Sequence, residues 1–249
     1  MTIREYTKML SSLLSLDSYF DISLNGIQIG GEDRALKKVA FAVDACLETI
    51  EKAVESKADL LVVHHGLFWG SPIAIDNSHY ERVKKAIDGN LFLFASHIPL
   101  DANIPYGNNA QIALSLGMKD FDSDFEWKGK KIGVRGNLPF PMTVEEIATL
   151  LGKKDALVIN GSKKERIESV GIVSGSGSSD LKSAIECGLD LFITGEVHHE
   201  VYHEAMENNI SILALGHYYS ETFGVKALER LTKKKYEIET VFIDAETHL

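Results

Sequence analysis

The chain has 249 residues, 45% of them hydrophobic and 25% charged, the composition of a folded globular protein long enough to bury a core. A formal net charge of −10 argues against a surface that attracts nucleic acid or acidic membranes throughout. Two cysteines, Cys46 and Cys187, are too few for a disulfide framework or a thiolate metal cage.

In chain order, Met1 to Leu16 reads as an amphipathic helix with no signal-peptide pattern. No apolar stretch approaches the ~20 residues of a membrane span, and a reducing cytoplasm is the expected compartment. Val39 to His65 (VAFAVDACLETIEKAVESKADLLVVHH) reads as an apolar strand, a turn, an amphipathic helix and a second apolar strand. A further strand, LFLFAS, leads through His97 to Asp101. The charged stretch Asp120 to Pro141 ends in Gly and Pro and is the expected link between two halves, residues 1–126 and 127–249. The final strand or helix is free to pack back on the first half. Thr143 with Glu146 three residues on predicts a capping box opening the helix VEEIATLL.

Val170 to Glu196 then repeats the first unit without a gap, placing Val39 on Val170, Ala53 on Ala184, Glu55 on Glu186 and Asp59 on Asp190. Past an insertion, Ile210 to Glu221 repeats Leu91 to Ala102, equating His97 with His217 and Asp101 with Glu221. The expectation is an α/β protein of two similar lobes, an internal duplication. A helix over Tyr218 to Arg230 would put His217 and Glu221 on one face.

In open α/β sheets the ligand crevice lies at the carboxyl ends of the strands. Three such ends carry His64 and His65, His97 and Asp101, and His217 and Glu221. Imidazole with carboxylate suits zinc, iron, manganese or nickel better than magnesium or calcium. His64, His65, Asp101, His217 and Glu221 are too many for one four-coordinate ion with an open position. They suit a pair of ions ~3.5–4 Å apart, expected in the cleft between the lobes. His97 and His198 are candidate proton carriers beside them.

Two other motifs compete. His199-Glu200-Val201-Tyr202-His203 matches the zincin pattern H-E-x-x-H, but it follows a buried strand directly and has no obvious third ligand. Gly175 to Ser179 lies between a strand and a helix and offers a phosphate cradle, or more simply a turn with Ser179 as N-cap. The lysine runs at 128–131 and 233–235 read as solvated loop charges.

Several segments together carry a resemblance: NGIQIGG (Asn25 to Gly31), VVHHGLFW (Val62 to Trp69), HIPLDANIPYGNNAQIALSLG (His97 to Gly117), ITGEVHH (Ile193 to His199) and GHYYSETFGVKAL (Gly216 to Leu228). The chain resembles the Nif-three-like family, also called the GTP cyclohydrolase 1 type 2 family, over nearly its whole length. The resemblance implies the same five ligands, with Asp101 and Glu221 bridging or flanking two divalent or trivalent ions per subunit. It also implies assembly as a homohexameric ring, a trimer of dimers. The function it suggests is hydrolysis of a nucleotide or phosphorylated small molecule by metal-activated water. A ring that binds DNA, disfavoured by the net charge, and a metal-storage or metal-insertion protein are the alternatives.

Overall fold

The computed structural model describes residues 1–249. In chain order its elements are α1 (Ile3–Leu14), β1 (Gly26–Ile29), β2 (Lys38–Asp44), α2 (Leu47–Glu55), β3 (Leu60–His65), α3 (Asn77–Asp88), β4 (Phe92–Ala95), α4 (Ile98–Ala102) and α5 (Asn108–Ser115). There follow β5 (Phe121–Trp127), β6 (Lys130–Met142), α6 (Val144–Leu150), β7 (Leu157–Ile159), β8 (Ile167–Val173) and α7 (Leu181–Glu186). The last are β9 (Leu191–Thr194), α8 (Val201–Glu207), β10 (Ser211–Ala214), α9 (His217–Tyr236) and β11 (Glu239–Phe242). Two compact units result: Met1–Leu100 with Val225–Glu246, and Asp101–Gly224 with Thr247–Leu249. No helix is long and apolar enough to cross a membrane.

Unit 1 is built on a five-stranded sheet of order β1-β4-β3-β2-β11, in which β11, β2, β3 and β4 run parallel and β1 antiparallel to β4. Alternate residues of the central strands face opposite sides. Ala40, Ala42, Leu61, Val63, Leu93 and Ala95 pack with Ile50 and Ala53 of α2 and Val83 and Ala86 of α3. Phe41, Leu60, Val62, Phe92 and Phe94, pointing the other way, are also buried. Burial on both faces explains why these strands read as unbroken apolar runs. A capping box of Thr2 and Glu5 opens α1.

Unit 2 has a six-stranded sheet, β5-β6-β8-β9-β10-β7. Ile112 and Ala113 of α5 and Ile147 and Ala148 of α6 pack with Val170, Ile172, Leu191 and Ile193 in one core. Leu181 and Ala184 of α7 and Val201 and Ala205 of α8 pack with Phe192 and Ile212 in another. The predicted box at Thr143 and Glu146 forms and opens α6. The stretch expected as a loop-rich link is instead the hairpin β5–β6, with Val134 opposite Ser123 and Trp127 opposite Lys130. A boundary at 126/127 falls inside that hairpin. Its acidic and basic residues line exposed faces while Phe125, Ile132 and Val134 are buried, so its charge masked a strand pattern.

The duplication is visible bond by bond. Val39 lies opposite Leu60 in unit 1 and Val170 opposite Leu191 in unit 2, with the same spacing throughout. The Asp59 Oδ2 accepts from the backbone N–H groups of Lys37 and Lys38, and the Asp190 Oδ2 from those of Glu168 and Ser169. β1 and β7 occupy matching antiparallel places, on β4 and β10. The helices α2 and α7 both stop at a left-handed residue, Lys57 (φ 60°) and Gly188 (φ 65°).

Only glycine adopts that conformation without the Cβ penalty. Lys57→Gly is therefore expected to stabilise the protein by about 0.5–1 kcal/mol, read as a higher urea midpoint with unchanged slope; a lower midpoint would refute the strain.

Candidate metal centre

In unit 1, β3 ends in His64 and His65, and β4 is followed by Ser96 and His97. His64 is fully buried, and the other two rings are partly exposed. The ring centroids lie 4.5 Å (His64–His65), 5.1 Å (His64–His97) and 5.5 Å (His65–His97) apart. One ring nitrogen of each residue lies within 4.8 Å of the other two.

Each Nδ1 faces an oxygen: the Ser96 carbonyl at 3.0 Å from His64, Asp44 Oδ1 at 2.8 Å from His65 and Asp21 Oδ1 at 3.0 Å from His97. A carbonyl or carboxylate only accepts, so each Nδ1 carries the hydrogen. In the neutral rings the lone pair is then on Nε2. Hydrogen bonding of the far nitrogen to carbonyl or carboxylate is how metal-binding histidines are oriented.

Asp21 is itself fixed. Its Oδ1 also accepts from the Ser23 N–H, and its Oδ2 from Asn25 Nδ2 and the Ile98 N–H. Asn25 Oδ1 accepts from the His97 N–H at 2.8 Å. Burial alone would raise the Asp21 pKa, but His97, Asn25 and Ser23 together hold it well below the usual carboxylate range. Trp69 closes the apolar side, 5.8 Å from His65 and 5.0 Å from His97 between centroids.

In unit 2, Asp101 and Glu221 are buried, at 8% and 3% exposure, and one oxygen of each lies within 4.8 Å of the other. Asp101 Oδ1 accepts from Asn108 Nδ2 and from Ser174 Oγ, both at 2.9 Å. Asn108 is anchored in turn by the Gly224 N–H, and Asn109 by the Ser174 N–H and the Ile132 carbonyl. His217 opens α9; its Nε2 is 3.1 Å from Glu221 Oε1 and its Nδ1 contacts Glu196. Glu221, opposed by burial and aided by Glu196, raises the His217 pKa to about 9.

This pocket stabilises positive charge, and a bound cation would displace the proton. Its backbone is shaped to match. Gly175 has φ +63°, and a Cβ there would lie 2.4 Å from Glu221 Oε1 and 3.4 Å from His217 Nε2. Two desolvated carboxylates side by side, oriented imidazoles and a turn cleared of side chain fit a divalent transition metal.

The remaining sequence candidates sort clearly. His198 is exposed, its N–H on Ser178 Oγ and its Nδ1 3.4 Å from Glu200. The H-E-x-x-H pattern does not lie on one helix: His199 and Glu200 precede α8, and His203 is exposed on it. Equating His97 with His217 is off by one residue. Strand register puts Phe92 and Ser211 at equivalent places, opposite Leu60 and Leu191, so Ile98, the first residue of α4, matches His217.

Sequence reasoning did not single out Asp21, Asp44, Asn108, Ser174 or Glu196. Glu196 was within reach, because the ungapped repeat places it on His65 and Gly175 on Asp44.

Fold and side-chain chemistry together define a duplicated α/β protein with metal-type clusters of His, Asp and Glu at the ends of its sheets. Residues 1–248 match the Duf34/NIF3 (NGG1p interacting factor 3) family. A relative from Deinococcus radiodurans, named GTP cyclohydrolase 1 type 2 homolog, is 41% identical over 247 residues, covering 98% of this chain and 94% of the relative. One of the same name from Archaeoglobus fulgidus is 43% identical over 249 residues, covering 100% of both. The crystal structure of TTHA1606 from Thermus thermophilus superposes with a TM-score of 0.89 at 37% identity, covering 100% of both chains. The chain belongs to the Duf34/NIF3 family.

Proposed function

We propose that this protein is a metal-dependent hydrolase acting on a nucleotide or similar phosphorylated small molecule, with His64, His65, Asp101, His217 and Glu221 as ligands to two ions. The buried Asp101–Glu221 pair carries the reading: adjacent desolvated acids are costly without a cation. The name of the relatives, GTP cyclohydrolase 1 type 2 homolog, points the substrate class toward a guanine nucleotide. Divalent ions bound there would polarise a substrate oxygen and bring the pKa of water toward ~7.

The protein's own groups set the geometry. Asn108 and Ser174 hold Asp101 Oδ1, which fixes the direction of the other carboxylate oxygen. Glu196 orients His217 through Nδ1 and is steadied by the Ser176 hydroxyl at 3.1 Å. Burial would raise the Glu196 pKa, but its contact with His217 lowers it overall; His198, exposed beside Glu200, is the group we assign to carry a proton at the open side.

The test is metal content of the purified protein, followed by nucleotide turnover before and after chelation. Activity should disappear with the metal and return when it is restored. Turnover that survives full chelation would refute the proposal.

A further inference from the structure

We infer that Trp69 is the platform on which the planar base of a nucleotide stacks, so that the base, not the phosphates, lies beside His65 and His97. This deepens the hydrolase reading above and rests on it for the nucleotide.

The turn after β3 uses its apolar residues in two ways. Leu67 is buried, and Phe68 packs edge-on against the buried His79 of α3, 5.2 Å between ring centroids. Both complete the core of unit 1. Trp69, the next residue, stays partly exposed and lies against the histidines instead. Neither imidazole stacks on it, since the interplanar angles are 46° with His65 and 75° with His97. An indole that is neither enclosed in the core nor stacked by a neighbour offers ring surface to a ligand.

The ring is also fixed in advance. Trp69 Nε1 donates to the Gly66 carbonyl at 2.9 Å. The backbone around it is tied to the segment before β1: the Leu24 N–H donates to the Phe68 carbonyl and the Gly70 N–H to the Ile22 carbonyl. Gln28 of β1 accepts from the Leu67 N–H at 2.6 Å. A platform held in place loses little freedom when a ligand settles on it. Ser23 stands opposite Trp69 in an isolated antiparallel bridge, which puts both side chains on one side. Its hydroxyl is buried, the residue being 6% exposed, and has no protein partner. A buried polar group left open calls for a partner from outside the chain, and the edge of a base carries donors and acceptors.

Distance sets the orientation. The His65 and His97 rings lie 5.8 and 5.0 Å from the indole between centroids. A base in contact with the indole, ~3.5–4.0 Å from its plane, is therefore a neighbour of the imidazoles. The phosphates, a ribose further out, are not.

The test uses the full-length chain in the presence of zinc, carrying Trp127→Phe. The chain has two tryptophans, so Trp69 is then the sole fluorophore of its kind. Guanosine and ribose 5-phosphate are titrated separately, with the fluorescence corrected for light absorbed by the ligand. Guanosine should quench it saturably, and ribose 5-phosphate should not. Calorimetry on Trp69→Ala should show guanosine binding weakened about 5–150-fold, the range for loss of one base–aromatic stack. Trp69→Tyr should stay within ~10-fold of the parent. Bound zinc per chain should be unchanged in both, which separates a lost platform from a damaged metal site. Unchanged guanosine affinity in Trp69→Ala, loss of zinc along with guanosine, or equal quenching by ribose 5-phosphate would overturn the inference and leave the hydrolase reading standing. So would a Trp69 signal that responds only to protein concentration, the mark of a contact between copies. The same holds for a chain that turns over nucleotide yet binds no guanosine. A chain that binds neither compound and turns over no nucleotide would sink both.

Discussion

On the metal-dependent function proposed above, Gly175→Val is expected to lower affinity for added divalent metal at least ~100-fold without replacing any of the proposed ligands. Gly175 sits at φ +63°, where a β-branched side chain is a steric outlier. Strain of about 1–3 kcal/mol is the backbone's share. The larger effect is local: the new Cβ would stand 2.4 Å from Glu221 Oε1, so the carboxylate must leave its place or the turn must move. Gly175→Ala should show the same effect in milder form. Glu221→Gln separates the causes, since it removes the charge and adds no atom to the turn; it should lose metal while keeping its unfolding free energy within ~1 kcal/mol of the parent. Elemental analysis and metal titration decide the matter, and a fully loaded Gly175→Val protein would show that the turn and the acid are not coupled.

Asp190→Ala should cost about 3 kcal/mol of stability, among the largest single losses available outside the apolar core. The Asp190 Oδ2 accepts the N–H groups of Glu168 and Ser169 at 3.0 and 3.1 Å, and the Oδ1 pairs with Lys164 at 2.8 Å. Hydrogen bonds to a charged group contribute about 1.5–3 kcal/mol each, and removing the acceptor also leaves two strand donors unmet. Asp59→Ala removes the same pair of bonds in unit 1, but that side chain is more exposed, 17% against 9%, so water replaces part of what is lost. About 2 kcal/mol is expected there.

The pH dependence has a definite sign. Burial would raise the Asp190 pKa, but Lys164 and the two backbone donors depress it overall. A depressed acid stabilises the fold above its unfolded value near ~3.9 and loses that contribution as pH falls through the folded pKa. Urea midpoints of the parent and Asp190→Asn should differ at neutral pH and converge as pH falls below the unfolded carboxylate value of ~3.9. Parallel curves across that range would contradict the assignment.

The architecture was legible because the repeat is written in burial. Strands covered on both faces tolerate only apolar residues, and Asp59 and Asp190 recur because each new strand start needs its backbone donors satisfied. The ligand-type residues were legible for a related reason: a histidine or acid directly after such a strand breaks the pattern. Their supports were not. Asp21 reaches His97 across 76 residues and Ser174 reaches Asp101 across 73, and nothing local in FDISLN or IVSGSG announces a partner so far away. The hairpin at 121–142 was hidden by its charge, and the histidine correspondence slipped by one residue because matching residue types overrode the strand register: the turns after β4 and β10 are equally long, and His97 stands one place earlier in its turn than His217. The H-E-x-x-H pattern failed for want of context: a helix that begins two residues past its first histidine cannot present both rings on one side.

The outer strands of both sheets have a consequence for solubility under crowding. β1, β7 and β11 are only four, three and four residues long, too short to template an incoming chain. β5, the one long border, alternates Asp122, Asp124 and Glu126 along its length, and like charges would meet if two copies aligned there. Sheets finished in this way resist growing by addition of further strands, which guards an apolar interior of this size against runaway self-association.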